Sequence, residues 1–266
     1  MKRALWLLFL LIPTFAGSAL AGAWSQAKGG YYLKTTLIYS DANKVLGISS
    51  PATFRDYSLY FYGEYGITPH LTGIVNFPVY KRSENEANFI RGETNAFLAG
   101  DYEAHLKYQF LNNGLVGAAQ IGIKKPAFYD LIDIPPIGNN ETDYDLKFLL
   151  GASLYPIPAY FTGDLGYRFR GGEFVDEFHM NAEAGYTVMQ RYLLRATISV
   201  IRNNGESASE SNLFGFPLIQ QRTRVGGGVI FILSSKLEAD LTLLKTTSGL
   251  NIPNSTEVFV GLALKR

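Results

Sequence analysis

From Ala159 to Gly172 the chain reads AYFTGDLGYRFRGG, and its two sets of alternate positions differ in kind. Ala159, Phe161, Leu165, Tyr167 and Phe169 are apolar or aromatic, while Thr162, Asp164, Arg168 and Arg170 interleave with them. Period-two alternation is the mark of a strand with one apolar and one polar face. The pattern recurs along the chain and predicts twelve strands, over 31–40, 53–65, 71–80, 97–110, 115–125, 142–155, 159–170, 174–188, 192–202, 218–233, 237–246 and 255–265.

The connections carry a second pattern. After even-numbered strands they are short: GITPH, LNNG, PIP, MQR and SSK. After odd-numbered strands they are mostly long: DANKVLGISSPAT, KRSENEANFIRGETN, 126–141, NNGESASESNLFGFP and SGLNIPN. Short turns at one end and long loops at the other predict an all-β, membrane-spanning, antiparallel up-and-down barrel, with its turns in the periplasm and its loops outside.

Alternation alone does not say whether the apolar face looks inward, as in a soluble barrel, or at lipid. Three details choose lipid. On the second strand Tyr57 and Tyr65 bracket Leu59, Phe61 and Gly63; eight tilted residues give a height of about 19 Å, close to the apolar band between aromatic girdles. Charges on the apolar face, such as Arg202 and Lys245, fall only near strand ends, where a charge costs little. Twelve strands also enclose more space than apolar side chains fill.

Composition adds the compartment. Lys2 and Arg3 precede an apolar run from Ala4 to Ala16 and a small-x-small site at Ala19-Leu20-Ala21. Residues 1–21 are therefore expected to be a cleaved signal peptide, with 22–266 a single barrel domain of the bacterial outer membrane. No later segment approaches the about 18 apolar residues of a helical span. The chain has no cysteine, so closed strand pairing rather than disulfides must hold an exported protein of this size. A formal net charge of +1 gives no reason to expect nucleic acid as a partner. The partners implied are outer-membrane lipid, the barrel assembly machinery and a small-molecule solute.

With the faces assigned, the expected lumen lining follows. It comprises Asp101, Glu103, His105 and Lys107; Asp145 and Lys147; Asp164, Arg168 and Arg170; His179 and Glu183; Arg195; Arg222 and Arg224; and Glu238 and Asp240. Tyr60, Tyr62, Tyr80 and Tyr155 are read as bulky inward residues that narrow the passage. Acids nearly match bases, so one reading is a ladder of ion pairs that braces the wall; the other is a permeation path whose arginines select anions. In the loop PAFYDLIDIPPIGNN, Phe128, Tyr129, Leu131, Ile132, Ile134 and Ile137 form an apolar cluster in a segment expected to face water. It either collects solute at the mouth or packs as a lid.

Chemistry beyond passage is thinly supported. His105 and His179 face inward near acids, but no nucleophile pattern accompanies them. Asp130, Asp133 and Asp143 lack calcium-loop spacing, and no phosphate loop or zinc pattern occurs. No catalytic residue, metal or cofactor is expected.

Several segments resemble a known family. GAWSQAKGGYYLKTTLIYS, EYGITPHLTGIVNFPVYK, GDYEAHLKYQFLNNGLVGAAQIGIKK and the stretch from DYDLKFLLGASLYPIPAYF through GYTVMQRYLLRATI are similar to an outer-membrane family named for the meta-pathway of phenol degradation. The resemblance implies a barrel that transports small hydrophobic or aromatic compounds. One departure is the ending VFVGLALKR, which lacks the terminal aromatic of many outer-membrane barrels. Three functions follow as expectations: a passive channel for small solutes, an occluded structural or surface-interaction barrel, and, least favoured, a lipid-modifying enzyme.

Overall fold

The computed structural model describes residues 22–47, 51–87, 90–129, 133, 135–203, 211 and 217–266. Its strands are β1 (Tyr31–Leu46), β2 (Pro51–Gly66), β3 (Leu71–Ala87), β4 (Ile90–Phe97), β5 (Gly100–Asn113), β6 (Leu115–Ala127) and β7 (Asp143–Ser153). There follow β8 (Ala159–Phe169), β9 (Glu177–Val188), β10 (Tyr192–Asn203), β11 (Gln221–Ile232), β12 (Leu237–Leu250), β13 (Ile252–Pro253) and β14 (Thr256–Lys265). Twelve of these, all but β4 and β13, form an antiparallel wall in which each pairs with the next. Ten residue pairs, from Tyr32↔Lys265 to Asp41↔Thr256, join β1 to β14 and close it. Closure leaves no edge, so every backbone group of the wall can be satisfied within it, as a hydrocarbon surround demands.

The apolar face points outward. Leu37, Phe148, Ile121, Leu150, Leu165 and Leu262 each leave about half or more of their surface uncovered, whereas Lys107, Asp143 and Glu64 are buried. That inverts a soluble protein and fits acyl chains outside and an ionic interior. The outward charges sit at the extracellular rim and are satisfied there. Arg202 donates to Thr223 Oγ1 at 2.8 Å, and Lys245 to Thr256 Oγ1 at 3.1 Å.

The wall departs from the sequence reading in its upper part. The stretch KRSENEANFIRGETN, expected as a loop, continues β3 and returns as β4, in register from Tyr80↔Phe97 to Ala87↔Ile90. It stands above the membrane, so it has no apolar face to betray it; Arg82 holds it through Glu84 and Glu93 at 2.8 and 3.1 Å. Likewise β1 runs to Leu46 and β2 starts at Pro51, which shortens the first expected loop to 47–50.

Two of the tyrosines read as inward are not. Tyr60 pairs with Pro78 and Leu59 with Tyr80, leaving Val79 as an extra residue. Proline has no N–H for the ladder, and the bulge formed there reverses the faces beyond it. Tyr80 therefore points outward, its hydroxyl donating to Asn95 at 3.0 Å. Tyr155 lies in the β7–β8 turn and is 80% exposed. The expected signal peptide falls outside the described residues, as do Leu131, Ile132 and Ile134.

Candidate functional site

The lumen is ordered in layers along the barrel axis, set by strand register. In the extracellular third, Lys124 and Asp143 face each other across β6 and β7. Lys124 Nζ lies 2.9 Å from Asp143 and 3.1 Å from Asp101, and Arg170 reaches Asp143 at 3.1 Å and also pairs with Glu177. One layer deeper, Arg168 binds Asp145 with two donors at 2.8 and 3.0 Å and Glu103 at 3.1 Å. His105 Nε2 is 3.6 Å from Glu103, and His179 Nε2 is 2.8 Å from Glu177. The opposite wall carries its own chain: Arg195 reaches Glu183 and Asp240 at 3.3 Å each, Lys34 reaches Asp240 at 2.9 Å, Arg224 binds Glu257 at 2.8 Å, and Lys265 pairs with Glu238. Most of these side chains are largely buried, and each partner compensates the other's desolvation.

Loop residues complete the upper layer. Tyr129 donates to Asp101 at 2.7 Å, and Lys124 donates to Asn139 Oδ1 at 2.9 Å. Burial, with the Asp101 carboxylate beside it, pushes the Tyr129 phenol well above its usual range. Lys81 donates to the Ile137 carbonyl at 3.0 Å, and Ile137 itself is buried. Of the described members of the apolar loop cluster, then, Tyr129 and Ile137 fold down on the mouth, whereas Phe128 is 83% exposed.

The periplasmic third is closed differently, by a segment that precedes the first expected strand and was given no role there. Residues 22–30 cross the mouth as a strap. Gly29 N–H donates to Gly66 O at 2.8 Å, Gln26 N–H to Thr72 Oγ1 at 2.9 Å, and Gln26 Nε2 to Glu64 at 2.8 Å. Further across, Ser25 N–H donates to Gln109 Oε1 at 2.7 Å, and Lys107 Nζ donates to Gly22 O at 3.0 Å. Lys107, which also sits 3.8 Å from Glu64, thus anchors the strap. Ala23 is fully buried with Val116, Ala118 and Leu149, and Trp24 packs on that cluster with its ring edge-on to Tyr160, centroids 6.2 Å apart. A side chain at Gly151 would begin 2.6 Å from the indole, so glycine there makes the seat. The one sequence signal was a large aromatic, Trp24, outside any alternating run.

Two chambers of about 340 Å³ each lie between these closures. The upper is walled by Asp101, Lys124, Asp143, Arg168 and Arg170 beneath Asn139. The central one is lined by Lys147, Asp164, Asn181, Glu183 and Tyr62, and Asn76 and Glu103 line both chambers, which are therefore neighbours along the lumen. Leu149 and Thr162 line the central chamber, and Leu149 also packs with Ala23 of the strap. Arg222 faces the lumen beside Ile201 near the extracellular end. A larger apolar recess of about 860 Å³ is lined mainly by outward side chains such as Phe61, Val75, Leu106, Ile121 and Leu146; it opens to the lipid side. Among the described residues no group of side chains is arranged to hold a metal ion.

No protein-family model and no curated protein sequence matches the chain. Solved structures do. The COG4313 outer membrane channel from Pseudomonas putida F1 is similar with a TM-score of 0.68 at 13% identity, over 93% of this chain and 99% of that one. The NanC porin is similar with a TM-score of 0.56 at 9% identity, over 88% and 100%. The translocator domain of the autotransporter NalP from Neisseria meningitidis gives 0.52 at 12%, over 90% and 89%. At these identities the likeness is one of fold: this chain folds as an outer-membrane barrel.

Proposed function

We propose that this protein is a passive outer-membrane channel for small solutes, made after removal of residues 1–21. The observation that carries the reading is the pair of neighbouring polar chambers inside an apolar-faced barrel. A wall designed only to anchor a surface structure has no need of an internal polar cavity. Its likeness to an outer membrane channel and a porin supports the same reading. The lumen residues act mainly as bracing: most of their charges are spent on one another, and the remainder faces the solute. The chambers are polar, so a solute with hydrogen-bonding groups fits them better than a bare hydrocarbon. Membership of the phenol meta-pathway family rests on the sequence resemblance; exposed Phe128 at the rim supports an aromatic solute meeting the loops first.

In this reading the strap sets the conductance. Solutes pass beside it or displace it. Purified protein in planar bilayers should give small, noisy currents, and deletion of residues 22–28 should raise them several-fold. Absence of current in both forms, with the barrel folded, would sink the channel reading in favour of an occluded structural barrel.

A further inference from the structure

Two charged groups of the central chamber, of opposite sign, make no direct ion pair. Glu103 is held by Arg168 and His105, Asp145 by Arg168, and Glu183 by Arg195 and by the Tyr160 hydroxyl at 2.5 Å. Lys147 and Asp164 line the same chamber. Among the described residues Lys147 makes no hydrogen bond or ion pair, and Asp164 only accepts from Asn181 Nδ2 at 2.9 Å.

Register explains why these two do not neutralise each other. Lys147 faces Gly166 across β7 and β8, and Asp164 faces Leu149, so they are diagonal neighbours on the inward face. The lysine stem lies on Gly166, where a side chain would begin 2.8 Å from its Cγ. It therefore runs across β8 one step above Asp164, with Glu103 and Asp145 already engaged on its other side. The lysine lines the cavity without a direct partner, its charge acting at longer range on Glu103 and Asp145. Asn181 fixes the carboxylate below it and spends only part of its accepting capacity.

We propose that the central chamber is a binding subsite for a small zwitterion, its carboxylate taken by Lys147 and its ammonium by Asp164. The inference rests on the channel reading and adds the solute's chemical class to it. Each contact is a charge-assisted hydrogen bond in a partly desolvated site, the strong kind. A neutral solute of equal size gains neither, and a singly charged one gains one and leaves the other charge facing it unmet. Leu149, which packs on the strap, and Glu103, which the chamber shares with the one above, bound the site along the axis.

Two measurements on the full-length mature protein test this. In liposome swelling, L-serine should enter several times faster than erythritol, a neutral solute of similar size, and faster than lactate or ethanolamine. In Lys147→Gln and in Asp164→Asn the serine-to-erythritol ratio should fall to about one. The double exchange Lys147→Asp with Asp164→Lys should restore it, because the zwitterion binds reversed. In detergent, calorimetric titration with serine should give binding that each single substitution weakens about tenfold or more, the loss of one charge-assisted bond. Equal entry of serine and erythritol into wild-type vesicles together with no heat of serine binding would overturn the subsite. So would a ratio that survives both single substitutions. Serine binding in detergent without entry of any solute into vesicles would keep the subsite and overturn the channel. Heat-modifiable migration on gels establishes that each variant has folded.

Discussion

The two ends of the lumen are closed by opposite means. At the extracellular end, Lys124 and Arg170 tie Asp101, Asp143 and Glu177 into one cluster and Arg168 ties Glu103 and Asp145 into a second beneath it, and all their members belong to the wall or lie just beyond it. At the periplasmic end, a nine-residue strap is laid across the opening, held by backbone hydrogen bonds to side chains and by one indole. The first closure is part of the barrel's own stability, since removing a member strands its partners. The second adds little to the ladder that closes the wall and can leave without breaking a strand pair. A channel with a fixed filter outside and a removable one inside follows from that difference in attachment.

The sharpest way to test the contrast is Arg168→Ala. It leaves Asp145 and Glu103 without their guanidinium and should cost about 3–5 kcal/mol of barrel stability, read as a lowered urea midpoint for the folded band on gels. If stability holds, the layer is not bracing the wall. Trp24→Ala should cost the barrel much less and act on the strap instead, weakening its docking by about 2 kcal/mol through lost apolar burial. In protein made without residues 1–21, Trp24 is the only tryptophan. Its fluorescence should shift to the red at a urea concentration well below that which unfolds the barrel. A single coincident transition would make strap and wall one unit. The smallest effect expected is that of Tyr129→Phe, which removes one hydrogen bond to Asp101 and should cost about 1 kcal/mol. Because folding raises the Tyr129 pKa, the native state holds this proton more tightly than the unfolded chain does. Its contribution is whole below the ordinary phenol value of about 10 and drains away as pH climbs past it. The wild type should therefore lose this increment over the variant in strongly alkaline buffer.

Much of the barrel was legible because period-two alternation is a local property. Leu59, Phe61 and Gly63 could be assigned to lipid, and Glu103, His105 and Lys107 to the lumen, from their neighbours alone. The same rule failed at Tyr80, where one extra residue at Val79 reversed the faces, and in the β3–β4 hairpin, which has no lipid face to give it a pattern. The strap was missed because it lies outside any strand and has no period at all.

Chain order and alternation determined that this protein is an all-β barrel with lipid outside and charges within, for in a strand each residue's face follows from the one before it. Which charges neutralise one another was decided only by closure and register. Lys34 meets Asp240 across 206 residues of sequence, and Arg168 meets Glu103 across 65, because the wall curls until distant strands face one another. The same register leaves Lys147 and Asp164 without an ion pair: the lysine stem lies over the glycine opposite it, one step along the sheet from the acid, as becomes visible only once the strands are paired.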